Sequence, residues 1–169
     1  FQYGAVAAAS VKFTVDNSDN LASSWMGHTF QWYCQMSNED VPVSKGFFTI
    51  RNIEKNGRKA TITAYDSIYD LNEIADAWVA TLTYPITLKQ MVSSMAAKTG
   101  ISIMALTDAY RGNYTVYNNF MTSNITYREI LEYIAQVCNV FFYADSATKQ
   151  IKYKRYTPTN TIIDNTKYV

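Results

Sequence analysis

The fold is decided by two similar stretches of sequence, ITLKQMVSSMAAKTGISI (86–103) and ITYREILEYIAQVCNVFF (125–142). In each stretch a threonine stands where a helix would begin, Thr87 in the first and Thr126 in the second. Three residues later comes a side chain that can reach back to the threonine backbone, Gln90 or Glu129. This spacing is a capping box, in which two otherwise unpaired backbone N–H groups are satisfied reciprocally. The two stretches therefore predict two helices that start at these threonines.

Each predicted helix carries one apolar stripe and has a defined end. The stripes have the i, i+3, i+4, i+7 spacing of a helix packed on a core and consist of Leu88, Met91, Val92, Met95 and Ala96, and of Tyr127, Ile130, Leu131, Ile134 and Ala135. Gly100 and Asn139 follow the stripes, and both residue types favour the left-handed conformation that ends a helix. Short apolar runs come next, at 101–104 and 140–143. We expect two helices packed on a small sheet, arising either from a duplication or from chance similarity of capping and packing patterns.

The first part of the chain has the pattern of β structure. Apolar residues alternate with polar ones, the period of a half-buried strand, at Val11, Phe13 and Val15, at Phe30, Trp32, Cys34 and Met36, at Phe48 and Ile50, and at Ile62 and Ala64. Asn56-Gly57 stands between the last two runs and predicts a hairpin with a type I′ turn, because both residues tolerate a positive φ. Residues 17–27, rich in Asn, Asp and Ser, predict a loop. Four or five antiparallel strands at this spacing indicate a small barrel or sandwich.

The rest of the chain completes an α+β interpretation. Residues 66–82 predict a short helical turn or structured linker, and residues 141–156 predict a final hairpin. We expect a small antiparallel β-barrel-like domain at 1–70. An α/β domain with two amphipathic helices packed on a short sheet should follow at 71–156. Residues 161–164 have the pattern of the start of another strand, so we interpret the chain as a piece of a longer protein.

The composition narrows the classes of protein. The 169 residues are 48% hydrophobic and 17% charged, which excludes a disordered chain. The net charge is +1, so neither nucleic-acid binding nor attraction to an acidic membrane surface is indicated. No apolar run approaches the roughly 20 residues that a transmembrane helix needs, and we expect no signal peptide. The unusual feature is the 15% of aromatic residues, with 14 tyrosines, because tyrosine favours strands and interfaces.

The histidine and cysteine residues exclude several kinds of site. His28 is the single histidine, so a His-rich metal site is excluded and a Ser-His-Asp triad would depend on one residue. Cys34 and Cys138 form no Cys-x-x-Cys motif, which excludes a zinc ribbon and a thioredoxin-like site. We expect both cysteines to be small buried side chains in a reducing compartment rather than a long-range disulfide. No Gly-rich phosphate loop is present either, so we expect no cofactor and no metal.

Acidic residues supply most of the candidates for catalysis. Asp66 and Asp70 are four residues apart with Glu73 nearby, a spacing that suits acid–base chemistry or Mg²⁺ binding. The same residues flank a predicted helix start, where acidic side chains stabilise the helix dipole, and this structural interpretation is favoured. Asp16 and Asp19 lie in a loop that lacks the Gly and terminal Glu of a calcium-binding EF-hand.

Basic residues cluster at two predicted hairpins, with Lys55, Arg58 and Lys59 at the first and Lys149, Lys152, Lys154 and Arg155 at the second. With aromatic residues nearby, such clusters can contact a phosphate backbone. Short basic tips more often keep sheet edges soluble, so we expect Lys152 and Lys154 to face solvent and no specific nucleic-acid binding.

Three motifs in order carry a resemblance to a known family. They are GFFTIRNIEKNGRKATITAYDSIYDLN (46–72), LTYPITLKQMVSSMAAKTGISI (82–103) and ITYREILEYIAQVCNVFFYADSATKQIKYKRY (125–156). In this order and spacing they resemble the N-terminal region of tail proteins of tailed bacteriophages and prophages. These are the baseplate hub or tail-associated proteins, known as minor structural or endopeptidase tail proteins. The resemblance covers most of the chain, residues 3–157.

The resemblance implies a structural role without catalysis in this fragment. Hub proteins of this family form trimeric rings that cap the tail tube, with a β-barrel domain similar to tube subunits. An α/β domain is inserted before the chain returns to a second barrel-like domain, and the resemblance implies that residues 157–169 begin this return segment. The partners implied are copies of the chain itself and other tail or baseplate proteins, with no membrane insertion. The implied location is the virion tail, after assembly in the bacterial cytoplasm. Peptidoglycan- or receptor-directed modules, where the family has them, come later in the parent chain.

Two other functions remain open at this point. A tail-associated peptidase or cell-wall hydrolase would rely on Asp66, Asp70 and His28, which are the plausible catalytic residues. A carbohydrate-binding module would use exposed tyrosine and tryptophan side chains to stack on sugar rings.

Overall fold

The computed structural model describes residues 5–35, 41–119 and 123–155. These residues form the expected α+β fold, in which a curled four-stranded antiparallel sheet is followed by helices packed on two smaller sheets. The expected return segment at 157–169 lies outside the described residues, as does Met36 of the second predicted strand. The division of the chain into domains stays a prediction.

The first sheet contains β1 (Ser10–Asp16), β2 (Thr29–Cys34), β3 (Val43–Asn56) and β4 (Lys59–Tyr65), in the spatial order β1-β4-β3-β2. The predicted alternation is confirmed in β1, where Val11, Phe13 and Val15 are partly buried and the residues between them are exposed. The predicted loop before β2 contains one short 3-10 turn at Ala22–Trp25. Period-2 patterning therefore located the strands because one face of the sheet is apolar.

A β-bulge keeps the apolar face of the sheet continuous along β3. The register of β3 against β4 shifts at Arg51, where β3 has an extra residue. Ile50 then pairs with Ala64, and Ile53 pairs with Ile62. Residues three apart on a regular strand point to opposite faces, so the bulge is what allows both isoleucines to face the same side.

The segment after the first sheet confirms the short helical turns predicted for 66–82. The chain makes a 3-10 turn at Tyr69–Asn72 and a single-turn helix, α1 (Asp76–Val79). Trp78 of α1 is buried, and its indole N–H donates to Ser94 Oγ at 3.0 Å. This hydrogen bond fixes the linker to the first long helix.

The elements that follow are β5 (Ile86–Thr87), α2 (Leu88–Thr99), β6 (Thr115–Val116), α3 (Tyr127–Cys138), β7 (Phe141–Ala144) and β8 (Ile151–Lys154). Both predicted capping boxes are confirmed. The Thr87 and Thr126 hydroxyls accept from the backbone N–H three residues on, at 3.3 and 3.2 Å. The side chains of those third residues accept from the threonine N–H groups at 2.9 and 2.8 Å. The helices end, as predicted, at Gly100 and Asn139, whose φ values are +70° and +55°.

Both long helices lead into one small sheet. After α3 the chain forms the predicted hairpin, in which β7 pairs antiparallel with β8. After α2, Ile103 forms a parallel bridge with Ile151 of β8. On the other side of the hairpin, Phe142 of β7 forms a parallel bridge with Val6. The likeness between the two stretches that opened the sequence thus extends beyond their helices, because Ile103 and β7 both pair with β8.

Two groups of buried side chains form the core. The larger group lies among the helices and the sheet of β7 and β8, which we call the second sheet. Its largest fully buried members are Phe142, Ile68, Leu71, Met91, Met95, Ile130, Leu131, Ile134 and Ile151. The smaller group lies on the first sheet and consists of Phe48, Ile50, Ile62 and Ala64. The first sheet therefore has a much smaller buried core of its own than the rest of the protein has.

The turn type predicted for the first hairpin is wrong. The hairpin between β3 and β4 is present, but Asn56 belongs to the last strand pair and the two central residues are Gly57 and Arg58. Of these two residues, Gly57 alone has a positive φ, of +57°. A type I′ turn requires a positive φ at both central positions, so this turn is not of type I′. Its one positive φ falls on glycine, which adopts that conformation without steric cost.

The expectation that both cysteines are buried holds for Cys138 and is wrong for Cys34, which is exposed. Cys34 is the last residue of β2 and pairs with the exposed Val43. It therefore lies beyond the aromatic side chains that cover the middle of the strand. The two thiols are free, and burial raises the pKa of Cys138.

Candidate interaction surface

One apolar face of the first sheet is left partly uncovered by the described residues. All four strands contribute to it, and the side chains that keep some exposure are Val11, Phe13, Val15, Phe30, Trp32 and Ile53. They pack on the four buried residues of the smaller core. We call these ten residues together the apolar face. A soluble protein that exposes a contiguous apolar patch commonly uses it to bind another molecule.

Four aromatic rings on the apolar face contact one another. The centroid of Phe13 lies 5.7 Å from that of Phe30 and 5.5 Å from that of Trp32. The centroid of Phe30 lies 6.3 Å from those of Trp32 and Phe48. Phe13 belongs to β1, whereas Phe30 and Trp32 belong to β2, the strand at the opposite edge. The edges of a flat four-stranded sheet are about 14 Å apart, so the sheet is strongly curled.

The curled sheet is an open barrel. Its two edge strands are β1 and β2. Among the described strands, β1 pairs with β4 alone and β2 pairs with β3 alone. The outer side of an edge strand presents backbone N–H and C=O groups that can pair with another strand. A further strand, such as one from another protein chain, can therefore pair with either edge.

The turn between β7 and β8 holds the second sheet against the first. The carbonyl of Ser146 accepts from Ser44 Oγ at 2.8 Å and from Gln31 Nε2 at 3.3 Å. Arg51 of β3 forms an ion pair with Asp70, which lies in the 3-10 turn after β4. The open barrel is thus fixed at defined points to the helical part of the chain.

Asp66, the first of the catalytic candidates, is buried and bonded to the backbone. Its Oδ2 accepts from the Ala9 N–H at 2.8 Å, and its Oδ1 accepts from the Ile68 N–H at 3.0 Å. Burial raises the pKa of this carboxyl, although the backbone hydrogen bonds oppose the rise. The side chain joins the segment that enters β1 to the segment that leaves β4, which supports the structural interpretation.

The other catalytic candidates have separate surroundings. Asp70 pairs with Arg51, and Glu73 is exposed. His28 is exposed at the start of β2. Within the described ranges, no group of three His, Cys, Asp or Glu side chains is arranged to hold a metal ion.

The acidic loop before β2 uses its carboxylates to shape the backbone. Asp16 Oδ1 accepts from the Ser18 N–H, and Asp19 Oδ1 accepts from the Leu21 N–H, both at 3.0 Å. These are Asx turns, in which a short acidic side chain bonds the backbone two residues on. These contacts give Asp16 and Asp19 a structural role in the loop.

The basic cluster of the last hairpin is only partly directed to solvent. Lys154 is exposed as predicted, but Lys152 is half-buried because its ammonium group pairs with Asp145 at 3.0 Å. Hydrogen bonds from Thr148 and from Lys152 lower the pKa of Asp145 to about 2. The charge of Lys152 is therefore satisfied within the protein.

Two further basic side chains of the hairpins also contact neighbours. The guanidinium carbon of Arg155 lies 5.3 Å from the centre of the Tyr110 ring, a cation–π distance. At the first hairpin, Lys55 Nζ donates to Asn20 Oδ1 at 2.9 Å. These contacts position the two cationic groups against neutral side chains and leave their charges in place.

The sequence patterns did not indicate a groove that lies between β6 and α3. Tyr114 and Tyr117, on either side of β6, line it together with Tyr133 of α3. All three tyrosines are exposed. The run Tyr-Thr-Val-Tyr at 114–117 was the available signal for this groove. The run is too short for alternation of apolar and polar residues to show which side chains are exposed and which are buried.

A solved phage protein has a similar fold. No protein-family model and no curated protein sequence matches the chain. The 43 kDa tail protein of prophage MuSo2 from Shewanella oneidensis superimposes with a TM-score of 0.52 and 14% sequence identity. The match covers 91% of this chain and 48% of that protein, so the chain spans about half the length of that tail protein. The resemblance to phage tail proteins is thus confirmed at the level of the fold.

No helix among the described residues combines the length and the apolar character that crossing a bilayer requires.

Proposed function

We propose that this chain is a structural component of a phage or prophage tail, located in the baseplate hub at the tail tip, where it caps the tail tube. The observation that carries the proposal is the open barrel, a curled sheet with a partly exposed apolar face and two edges that can accept strands. The similar fold of a prophage tail protein supports the same role. The corresponding location is the virion tail, after assembly in the bacterial cytoplasm.

We propose that other copies of this chain are the neighbours of the open barrel. One copy offers the outer edge of β1, and the next offers the outer edge of β2, so the contact joins two different surfaces. A repeated head-to-tail contact of this kind closes into a ring when the rotation between copies allows it. We propose a ring of three copies, the arrangement that the family resemblance implies, with other tail and baseplate proteins stacked on it.

The proposed role requires no catalysis and no cofactor in this chain. Asp66 and Asp70, the carboxylates that a peptidase or hydrolase would use, have partners within the fold. His28 is exposed just before β2, and its backbone carbonyl accepts from the Ile50 N–H at 3.0 Å. We therefore propose that the chain is not an enzyme.

Purified virions provide the test of location. Peptides from this chain should be found by mass spectrometry of the particles, and antibodies against it should bind at the tail tip in electron micrographs. Absence of the chain from virions that contain the other tail proteins would contradict the proposal.

A pair of substitutions on one strand tests the role of the apolar face. Phe13 and Lys12 are neighbours in β1, and their side chains point to opposite faces of the sheet. In complementation of a phage that lacks the gene, Phe13→Glu should prevent tail assembly while Lys12→Glu should support it. The comparison applies to protein that stays soluble and has a cooperative unfolding transition. Equal plaque counts from the two variants would show that assembly does not use this face.

A further inference from the structure

The groove between β6 and α3 is a second concave surface, remote in sequence from the first sheet. Its volume is about 460 Å³, within the range of roughly 300–1,000 Å³ found for small-ligand sites. Leu88 and Ile134 are buried at its base, and Tyr114, Tyr117 and Tyr133 line it. An apolar base with aromatic walls is the usual composition of a ligand site.

The tyrosine rings in this groove are unusually exposed. Tyr117 is 71% exposed and Tyr114 is 54% exposed. Each ring offers a large rigid apolar surface, together with a hydroxyl group that remains in water. Such side chains bury much area on binding and lose little conformational freedom.

The lining of the groove is uncharged. Among the described residues that line it, none is Lys, Arg, Asp or Glu. Its other polar groups are the amides of Asn118 and Gln136 and the hydroxyl of Thr115. Amides and hydroxyls both donate and accept hydrogen bonds. The complementary ligand is therefore neutral, has a flat apolar surface, and carries groups that both donate and accept.

We propose that this groove binds a neutral oligosaccharide, with sugar rings stacked on Tyr117 and Tyr114. One side of a pyranose ring consists of C–H groups that pack on an aromatic ring. Its hydroxyl groups lie around the edge, where Asn118 and Gln136 can exchange hydrogen bonds with them. Neutrality of ligand and lining avoids the cost of burying an unpaired charge.

A peptide or a nucleic acid is less complementary to the same groove. β6 has two residues, so a peptide strand added to it would form few backbone hydrogen bonds. A nucleic acid requires cations to neutralise its phosphates, and the described lining offers none. The groove shares no residue with the apolar face, so its binding and the proposed role in assembly can fail separately.

Titration of the chain with maltotetraose, cellotetraose and tetra-N-acetylchitotetraose, followed by NMR chemical shifts, tests the proposal. At least one of these neutral sugars should bind saturably and shift the amide signals of residues 114–118. Tyr117→Ala should weaken that binding by about tenfold or more, the loss expected when an aromatic anchor is truncated. Tyr117→Phe keeps the ring and should retain most of the affinity.

Tyr33→Ala is the matched control, because Tyr33 is also exposed but lies on β2, outside the groove. It should leave sugar binding unchanged. The proposal is overturned if none of the three sugars binds saturably, or if Tyr33→Ala weakens binding as much as Tyr117→Ala does. If no sugar binds, a change in the sedimentation coefficient caused by Tyr117→Ala would show that the groove is instead a contact between protein chains.

Discussion

The ring of Phe13, on one edge strand of the first sheet, lies 5.5 Å from the ring of Trp32 on the opposite edge strand. Among the described strands, β1 and β2 are not hydrogen-bonded to each other. Aromatic packing between side chains therefore holds the edges of the sheet together where backbone pairing does not. This arrangement makes the curl of the open barrel sensitive to single side chains.

Truncation of either ring should destabilise the protein. Phe13→Ala and Trp32→Ala should each lower the free energy of unfolding by about 2 kcal/mol, less than for a fully buried aromatic side chain because both are partly exposed. The double variant should lose less than the sum, with a coupling of about 1 kcal/mol, because the rings contact each other. Urea unfolding of the four proteins measures these values. Tyr33→Ala is the control, and full additivity of the two losses would show that the contact contributes nothing.

The two capping boxes should be equally important at neutral pH. Thr87→Ala and Thr126→Ala should each lower the free energy of unfolding by about 1 kcal/mol, because each removes the acceptor for a helix N-terminal N–H. The double variant should show the sum of the two losses, because the caps belong to different helices. Urea unfolding at pH 7 measures the effect. A loss in one variant alone would show that one helix does not depend on its cap.

Acid should separate the two capping boxes. Hydrogen bonds from the backbone and side chain of Thr126 lower the pKa of Glu129 below its ordinary 4.5. A carboxylate with a lowered pKa stabilises the fold above its unfolded pKa, and this contribution is lost as pH falls through the lowered value. Glu129→Gln should therefore weaken the pH dependence of stability in this range. Gln90 in the other box does not titrate, so Gln90→Ala should leave the pH dependence as it is, and an equal change in both variants would contradict the assignment.

Asp145 should contribute stability that disappears in strong acid. Its folded pKa of about 2 lies below the ordinary 3.8, so the contribution is complete above about pH 4 and is lost as pH falls through 2. Asp145→Asn should therefore be less stable than the original protein at pH 5 and converge with it near pH 2. An NMR titration of the Asp145 carboxyl measures the pKa directly. Lys152→Met should raise that pKa, and a midpoint near 3.8 in the unmodified protein would contradict the ion pair.

Asp66 should behave in the opposite way. Its raised pKa means that the fold favours the protonated carboxyl, so this contribution is present below about pH 3.8 and is lost as pH rises through the raised value. Asp66→Ala should still lower the free energy of unfolding by about 2 kcal/mol, because the N–H groups of Ala9 and Ile68 lose their acceptor. Thermal unfolding of the variant measures the loss. Unchanged stability together with lost hydrolysis of peptidoglycan would instead identify Asp66 as catalytic.

The helices could be predicted to the residue because their signals are local. Thr87 and Thr126 interact with residues three positions on, and Gly100 and Asn139 end the helices through their own backbone conformation. Each of these contacts lies within a few residues of sequence. The strands of the first sheet and of the last hairpin were found for the same reason, since alternation reports on one face of a strand whatever its partner is. The two-residue strands β5 and β6 were not predicted.

The sequence predicts a barrel-like first sheet, but it does not predict the side-chain contact that spans that sheet. The contact between Phe13 and Trp32 depends on two strands that are not neighbours in the sheet, and no period within either strand reports it. The exposure of Cys34 depends on where the aromatic packing stops along β2, which alternation also does not reveal. The tyrosine groove was not predicted for a related reason. Tyr117 belongs to no run of alternating apolar residues, so no pattern in the sequence indicates its place on the surface.

The parallel bridge between Val6 and Phe142 has a consequence for synthesis of the protein. The two residues come from opposite ends of the described chain, and contacts so distant in sequence slow folding. At ribosomal rates, Phe142 is added on the order of ten seconds after Val6. The hairpins of the first sheet can form during that interval, but the larger core cannot close. A nascent chain therefore carries the unpaired edges of β1 and β2 before its main core exists, which exposes it to aggregation during synthesis.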